Sequence, residues 1–235
     1  MAARTCVGVD GAKHGWIAIW RGASGLEFDV YISASRLVEA HRDAMVIAVD
    51  IPIGLSDAGG RDADSLARRF VGGKRASSVF SAPVRGILDA TTREEASRRH
   101  VEIDKRGFGA QAFAILPKIR EWDSLLRADA HACAQVREIH PEVSFAALGG
   151  GMGLVEGKRT PEGEAKRRVL LASVFGSDSV DALTASVPRK WAATDDVLDA
   201  LVALWSAERI HRGEASTLPS PVRIDSCGLI SAIHY

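Results

Sequence analysis

The sequence predicts an α/β fold in which helices flank a mixed five-stranded sheet. Three runs of β-forming residues, at 6–10, 15–20 and 26–32, are separated by glycine turns, which is typical of an antiparallel meander. A nearly all-apolar run at 45–50 indicates a further strand that is covered on both faces. The charged sequence from 52 to about 130 has the apolar spacing of helices. We therefore expect one mixed sheet with helices around it.

Further elements follow in chain order. Residues 35–42 predict a short helix with Ser35 near its N-cap. Residues 56–130 predict a mainly helical insertion after the fourth strand, with a kink at Pro117. Residues 136–139 supply the fifth candidate strand.

The last third of the chain predicts two more helices and a strand pair. Thr160 is the expected N-cap of a helix at 161–171, and Thr194 that of a helix at 195–211. Residues 222–234 predict a closing pair of strands.

The composition is that of an ordinary globular domain. Hydrophobic residues make up 46% and charged residues 26%, which excludes disordered and fibrous classes. The formal net charge is zero, so any nucleic-acid site must be local. The cysteines (Cys6, Cys133 and Cys227) lack the spacing of a zinc site or a disulfide framework. The sequence has neither a secretory signal nor an apolar run of about 20 residues, so we expect one cytoplasmic domain over 1–235.

Two of the predicted core strands end in an aspartate, Asp10 on the first and Asp50 on the fourth. Because ligand sites of α/β sheets lie at the carboxyl edge, we expect both carboxylates within reach of one small cation. On the predicted helix 195–211, Asp196 and Asp199 are three residues apart and share a face. Carboxylates with open water positions suit Mg²⁺ or Mn²⁺, and paired ions support phosphoryl transfer.

Simpler explanations exist for some of these carboxylates. Asp10 before Gly11 also suits a turn, and Asp195 and Asp196 lie in a first helical turn, where capping favours acidic residues. Asp199 lies one turn further along, before an apolar stretch. It should therefore be buried and need a cation or a partner.

Four motifs together resemble a known family. They are GVDGA at 8–12, VDIPIGL at 49–55, EIHPEVSF at 138–145 and DDVLDALVAL at 195–204. They resemble the domain of unknown function 429 family, an uncharacterised family of predicted nucleases in the ribonuclease H-like superfamily. The resemblance covers about 7–203 and implies a ribonuclease H-like fold and nuclease activity.

The last motif is also similar to a helix of bacterial Holliday-junction resolvases. In that helix two acidic residues three apart ligate metal beside an aspartate on the first strand, which implies metal-ligand roles for Asp196 and Asp199. The wider superfamily commonly has a glutamate as its second acidic residue, where this sequence has Asp50.

The residues around position 140 leave several assignments open. His140 and Glu142 could supply a proton-transfer histidine and a fourth metal ligand, or could simply begin a helix with Pro141 at its first position. Glu138, on the opposite strand face from Ile139, is an alternative metal ligand. The sequence does not decide between these glutamates.

The predicted insertion has a local excess of positive charge between 61 and 120. This charge could form a solvated helix face, or it could contact the phosphates of a nucleic-acid backbone. The candidate phosphate contacts are Arg61, Arg68, Lys74, Arg75, Ser77 and Ser78.

These features favour a divalent-metal-dependent phosphodiester hydrolase, acting on nucleic acid or a smaller phosphodiester. Asp10, Asp50 and Asp199 would bind Mg²⁺ or Mn²⁺, with Glu142 or Asp196 as the fourth ligand, and His140 would assist the leaving group. One alternative is a non-catalytic binding or scaffold protein on the same fold. The other is a nucleotide-binding phosphotransferase of the actin-like or sugar-kinase type, for which this chain has length for only one of the two domains required.

Overall fold

A computed structural model describes residues 5–235, and its central feature is a mixed five-stranded sheet in the order β3-β2-β1-β4-β5. The strands are β1 (Cys6–Ala12), β2 (Gly15–Gly22), β3 (Gly25–Tyr31), β4 (Val46–Val49) and β5 (Val136–Glu138). Strands β1, β2 and β3 form an antiparallel meander, and β1, β4 and β5 pair in parallel. The predicted sheet is confirmed, and it is consistent with a ribonuclease H-like fold.

Helices cover both faces of this sheet. They are α1 (Ala34–Ala40), α2 (Asp62–Val71), α3 (Arg93–Asp104), α4 (Ala110–Ala128), α5 (Ala130–Gln135), α6 (Pro141–Leu148), α7 (Pro161–Phe175), α8 (Ser177–Ser186) and α9 (Thr194–Arg212). Helices α2 to α5 lie between β4 and β5, together with 3₁₀ turns at Gly73–Ser78 and Arg85–Ile87. Within residues 5–235, no helix has the length and hydropathy that a membrane crossing requires.

Helix α9 lies directly on β1 because Gly8 has no side chain. A Cβ at Gly8 would come within 2.7 Å of Leu204 Cα, and closer still to Leu204 N and Ala200 O. Only glycine permits so short a distance between a strand and a helix backbone. This contact determines how close the acidic residues of α9 lie to the end of β1.

The opposite face of the sheet packs against α1 and the inserted helices. Val9, Val49 and Trp122 belong to the same buried cluster, and Trp122 contacts Trp16 edge to face at a centroid distance of 5.5 Å. Burial of such aromatic side chains provides much of the stability of a core of this kind. The insertion is therefore packed onto the sheet rather than projecting from it.

A two-stranded sheet of β6 (Thr217–Ile224) and β7 (Ile230–His234) closes the chain, as the sequence predicts. It attaches to the main sheet through an isolated parallel bridge between Ile139 and His234. His234 Nδ1 also lies 3.2 Å from the carbonyl oxygen of Glu138.

Several predicted boundaries were wrong by a few residues. Strand β1 continues through Gly11 to Ala12, because its antiparallel pairing with β2 outlasts its parallel pairing with β4. Helix α1 is capped by Ser33, whose hydroxyl accepts from the backbone N–H of Arg36, rather than by Ser35. At α9, Thr194 is the first helical residue and Ala193 is the N-cap.

Two further boundaries differ in extent. The helix predicted at 161–171 continues to Phe175, although Thr160 is its N-cap as expected. Strand β6 begins at Thr217, five residues before the predicted start of the strand pair, and α4 runs through Pro117.

Candidate functional site

The first part of the site is formed by two aspartates at matching positions on neighbouring parallel strands. The register pairs Val9 with Val49, which places Asp10 and Asp50 each one residue beyond that pair. The backbone N–H of Asp50 donates to the carbonyl of Val9 at 3.1 Å, so the alignment continues past the end of β4. Because side chains alternate along a strand, both aspartates share the sheet face that α9 covers.

Asp199 reaches this edge from α9, where it is 2% exposed. It lies five residues before Leu204, which packs at Gly8, so the close helix–strand contact positions Asp199 near the carboxyl end of β1. Electrostatic interactions connect Asp10 with Asp199 and with Asp50. The structure therefore brings the three expected carboxylates together.

Burial and mutual repulsion disfavour the ionised form of these three carboxylates. Burial raises the pKa of Asp10 well above its usual value, and repulsion from Asp199 and Asp50 raises it further. Burial raises the pKa of Asp50 to about 6, and likewise raises that of Asp199 to about 6. A cation among them is required to hold all three ionised.

Lys158 supplies such a cation, and no pattern in the sequence indicates its role. Its Nζ donates to Asp199 Oδ2 at 2.7 Å and lies 3.7 Å from Asp195 Oδ2. Burial alone would lower the pKa of Lys158, but its attraction to Asp199, Asp10 and Asp50 outweighs burial and raises it. The ammonium group is thus the counter-ion of the carboxylate cluster.

A second lysine lies near the same edge. Lys118 on α4 donates to the carbonyls of Ala12 and Gly15, at 3.1 and 2.9 Å. Burial lowers its pKa, whereas Asp10 and Asp196 act in the opposite direction. The bonds to carbonyls at the β1–β2 turn show that this lysine anchors the inserted α4 to the sheet.

Asp196 is largely committed to helix capping. Its Oδ2 accepts from the backbone N–H of Ala193 at 2.9 Å, so it performs the reciprocal half of a capping box. Burial raises the pKa of Asp196, and the bond from Ala193 opposes that shift. The sequence suggested both a capping and a metal-ligand role here, and the contact in the structure is the capping one.

His140 and Glu142 lie at the start of α6, beside the carboxylates. The backbone N–H of Glu142 donates to His140 Nδ1 at 3.2 Å, so His140 is the N-cap. Burial lowers the pKa of His140, which favours the neutral ring. Since Nδ1 accepts a hydrogen bond, the ring proton of that neutral form is on Nε2.

Of the two glutamates that the sequence left open, Glu142 is the one with an oxygen that has no hydrogen-bond partner. Arg167 donates to its Oε1 at 2.6 Å, and Arg75 lies 4.0 Å from the same oxygen. The whole residue is 6% exposed, and its Oε2 is buried and has no hydrogen-bond partner within residues 5–235. A buried acceptor of this kind needs a ligand to satisfy it.

Glu138 is placed differently from its predicted role as a metal ligand. It pairs with Val49 in the β4–β5 register, so it lies on the sheet face opposite to Asp50. There it binds Arg61 in a buried ion pair at 2.7 Å and accepts from the backbone N–H of Ile53 at 2.7 Å. These contacts use both of its oxygens and separate it from the other carboxylates.

The six candidate phosphate contacts have different surroundings in the structure. Arg61 is 3% exposed and is held by Glu138 and Asp64, a burial that does not fit a surface contact. Arg68 donates to Val79 O and to Ser81, each at 2.8 Å. Lys74 and Ser77 are exposed on the 3₁₀ turn, whereas Arg75 and Ser78 line the cleft described next.

A cleft of about 280 Å³ opens beside the carboxylates. Residues from six separate segments line it: Asp50, Pro52, Arg75, Ser78, Phe80, Ile115, His140, Pro141, Glu142, Lys158 and Asp199. The lining includes carboxylates, the basic side chains of Arg75 and Lys158, and the apolar side chains of Phe80 and Ile115. Arg75 Nε is buried and has no hydrogen-bond partner in the described part of the chain. Arg75 and Glu142, both of which line the cleft, therefore each carry a polar atom without a partner.

The donor set suits a hard divalent cation. The carboxylates of Asp10, Asp50 and Asp199 are close enough to interact, and Glu142, which has an unpaired oxygen, lines the adjacent cleft. In residues 5–235, no three His, Cys, Asp or Glu side chains are already arranged as ligands of one ion, and Lys158 forms an ion pair with Asp199. The chemistry of the residues fits a metal, while their side-chain arrangement is that of carboxylates paired with a lysine.

Comparison with known protein families identifies the family of this chain. The family model described as a protein of unknown function (DUF429) matches residues 8–224. No curated protein and no solved structure matches the chain. The matched region contains all of the carboxylates discussed above and covers most of the 235 residues. The chain therefore belongs to the DUF429 family.

Proposed function

We propose that this protein is a divalent-metal-dependent phosphodiester hydrolase, a nuclease of the ribonuclease H-like superfamily that acts in the cytoplasm. One observation carries the proposal. Asp10 and Asp50, at matching positions beyond one parallel strand pair, lie close to Asp199 from α9 and to the cationic side chain of Lys158. Buried carboxylates in such a group are costly unless a positive charge compensates them, and metal sites are a common reason for gathering them.

The metal would be Mg²⁺ or Mn²⁺. Asp10, Asp50 and Asp199 would hold it, with the free oxygen of Glu142 as a further ligand. When bound, it would supply an activated water and neutralise the charge that develops on the phosphate. Arg167 fixes the orientation of Glu142 through Oε1, which leaves Oε2 for this role.

The other residues of the cleft have roles that follow from their chemistry. Arg75 would donate to a phosphate oxygen through its free Nε, and Ser78 also lines the cleft. His140, neutral and protonated on Nε2, can donate a hydrogen bond to a departing oxygen, and the proton that this oxygen takes up would come from water. Phe80 and Ile115 offer an apolar surface against which a base could lie.

The size of the cleft indicates a small reacting unit. At about 280 Å³ it is near the lower end of ordinary ligand pockets, which begin at about 300 Å³. A formal net charge of zero also gives the chain no overall positive charge to attract a long duplex. We therefore propose a nucleotide at a strand end, or a small phosphodiester, as the substrate.

Calorimetric titration with Mn²⁺ tests the metal site. The protein and its Asp10→Asn and Asp199→Asn variants would be compared with Asp43→Asn, which alters an exposed aspartate outside the cleft. We expect binding in the parent and the control and its loss in both site variants, with thermal melts showing that all four are folded. Hydrolysis of a fluorescent single-stranded oligonucleotide should follow the same pattern.

A second candidate function is a non-catalytic binding protein on the same fold. The neutralisation of the carboxylates by Lys158 favours it, because a cluster that already has a counter-ion can be purely structural. If the folded parent binds no Mn²⁺ and cleaves no oligonucleotide, the hydrolase proposal is wrong and this second function is favoured.

A further inference from the structure

We propose that Lys158 is a displaceable internal cation: it occupies the metal position in the metal-free protein and moves to Asp195 when a divalent ion binds. The inference rests on the proposed metal site and adds to it a competitor that belongs to the chain. Metal affinity would then be set by an exchange of cations, not by the carboxylates alone.

Lys158 and the metal would both contact the Asp199 carboxylate. Lys158 Nζ is 2.7 Å from Asp199 Oδ2, and it also interacts electrostatically with Asp10 and Asp50. A Mg²⁺ ligand lies at about 2.0–2.1 Å from its ion. The ammonium group and the ion therefore cannot occupy the space among these carboxylates together.

The cluster keeps an excess of negative charge. The three carboxylates interact with the ammonium of Lys158, and Asp10 also interacts with Lys118. The only charged contact of Glu142 within hydrogen-bonding distance, in the described part of the chain, is Arg167. When all three carboxylates are ionised, the two lysines leave a net negative charge, which a divalent ion would reduce further. The free Glu142 Oε2 adds a ligand that the ion can use in this cleft.

A second carboxylate, Asp195, lies close enough to bind Lys158 after the ammonium leaves Asp199. Its side chain is 37% exposed, and Asp195 Oδ2 is already 3.7 Å from Nζ. Asp195 lies four residues before Asp199 on α9, so the two carboxylates are neighbours on one helix face. The flexible four-carbon stem of lysine allows the ammonium to exchange one for the other without moving the helix.

Substitution of the lysine tests the competition. Lys158→Met removes the internal cation, while Lys166→Met is the matched control because Lys166 forms an exposed ion pair with Glu156 outside the cleft. We expect Mn²⁺ to bind Lys158→Met roughly 10- to 100-fold more tightly than the parent, the range for losing one charge-assisted hydrogen bond. The control should bind as the parent does.

Chemical labelling of the unaltered protein gives an independent readout. Acetic anhydride should acetylate Lys158 slowly in EDTA and several-fold faster with saturating Mn²⁺, measured by mass spectrometry, while labelling of Lys166 stays constant. Equal labelling in both conditions would overturn the displacement, even if the variant folds poorly.

The outcomes separate this inference from the proposed function. Mn²⁺ binding by the parent that is unchanged or weaker in Lys158→Met would reject the competition while leaving the metal site intact. Absence of Mn²⁺ binding in every variant, Lys158→Met included, would reject both. Tighter binding in Lys158→Met without any hydrolysis would support the exchange and count against the nuclease activity.

Discussion

Substituting Gly8 should disturb the fold and the site together. In Gly8→Ala the new methyl group would lie 2.7 Å from Leu204 Cα and closer to two other backbone atoms of α9. Backbone atoms cannot rotate away, so α9 must shift from β1. Overpacking of this kind costs about 1–3 kcal/mol, and the contact with backbone favours the upper end. Lower chain entropy in the unfolded state returns roughly 0.4–1 kcal/mol.

The net expectation is a loss of about 2 kcal/mol in the free energy of unfolding. For a chain of this size that corresponds to a fall of roughly 4–8 °C in Tm. Urea unfolding followed by circular dichroism measures the first quantity, and thermal melts measure the second. Gly107→Ala is the control, because a Cβ at Gly107 would meet nothing within 4 Å.

A shift of α9 also carries Asp199 away from Asp10. Gly8→Ala should therefore bind Mn²⁺ more weakly than Gly107→Ala, under conditions where both are folded. If Gly8→Ala unfolds within about 0.5 kcal/mol of the control, the spread of ordinary surface substitutions, then the close strand–helix contact does not hold and the reasoning fails.

Two further predictions concern groups outside the cleft. Burial lowers the pKa of His234 to about 4, whereas an unfolded histidine titrates near pH 6.5, so the unfolded state binds more protons between these values. The free energy of unfolding should therefore fall by up to about 3 kcal/mol as the pH drops from 6.5 to 4. His234→Gln should lose this pH dependence in urea titrations. If the variant keeps the pH profile of the parent, the burial of His234 is contradicted. Arg61→Met leaves Glu138 and Asp64 buried without their cation, so we expect a loss of about 3–5 kcal/mol in urea unfolding. A cost no larger than that of exposed Arg69→Met would show that the buried pair is unimportant.

The sequence predicted the sheet well because strands have strong local signals. The meander and the all-apolar β4 are visible as runs of β-forming residues, and Asp10 and Asp50 follow from where those runs stop. Their alignment at one edge needs only the parallel pairing of β1 and β4. Asp199 was predictable because an acidic residue is followed by an apolar helix.

The remaining parts of the site depend on contacts distant in the chain. The sheet face of Glu138 is set by a register of single residues between β4 and β5, which no local pattern reveals. Arg61 resembles a surface charge until Glu138, 77 residues later, is placed beside it. Lys158 lies in an irregular segment and reaches Asp199 41 residues away, so no spacing rule connects them.

The insertion lies between two adjacent parallel strands. The acidic residues of the site and the other residues of the cleft therefore come from different parts of the chain. The acidic residues belong to the strand ends, α6 and α9, while Arg75, Ser78, Phe80 and Ile115 come from the inserted segment. Lengthening a surface connection costs little, about 0.6 kcal/mol for each doubling of its length. The turn at Gly73–Ser78 has no buried residue, so it can change during evolution or by design while the packed helices and the carboxylates stay in place. Such changes would alter the preferred substrate.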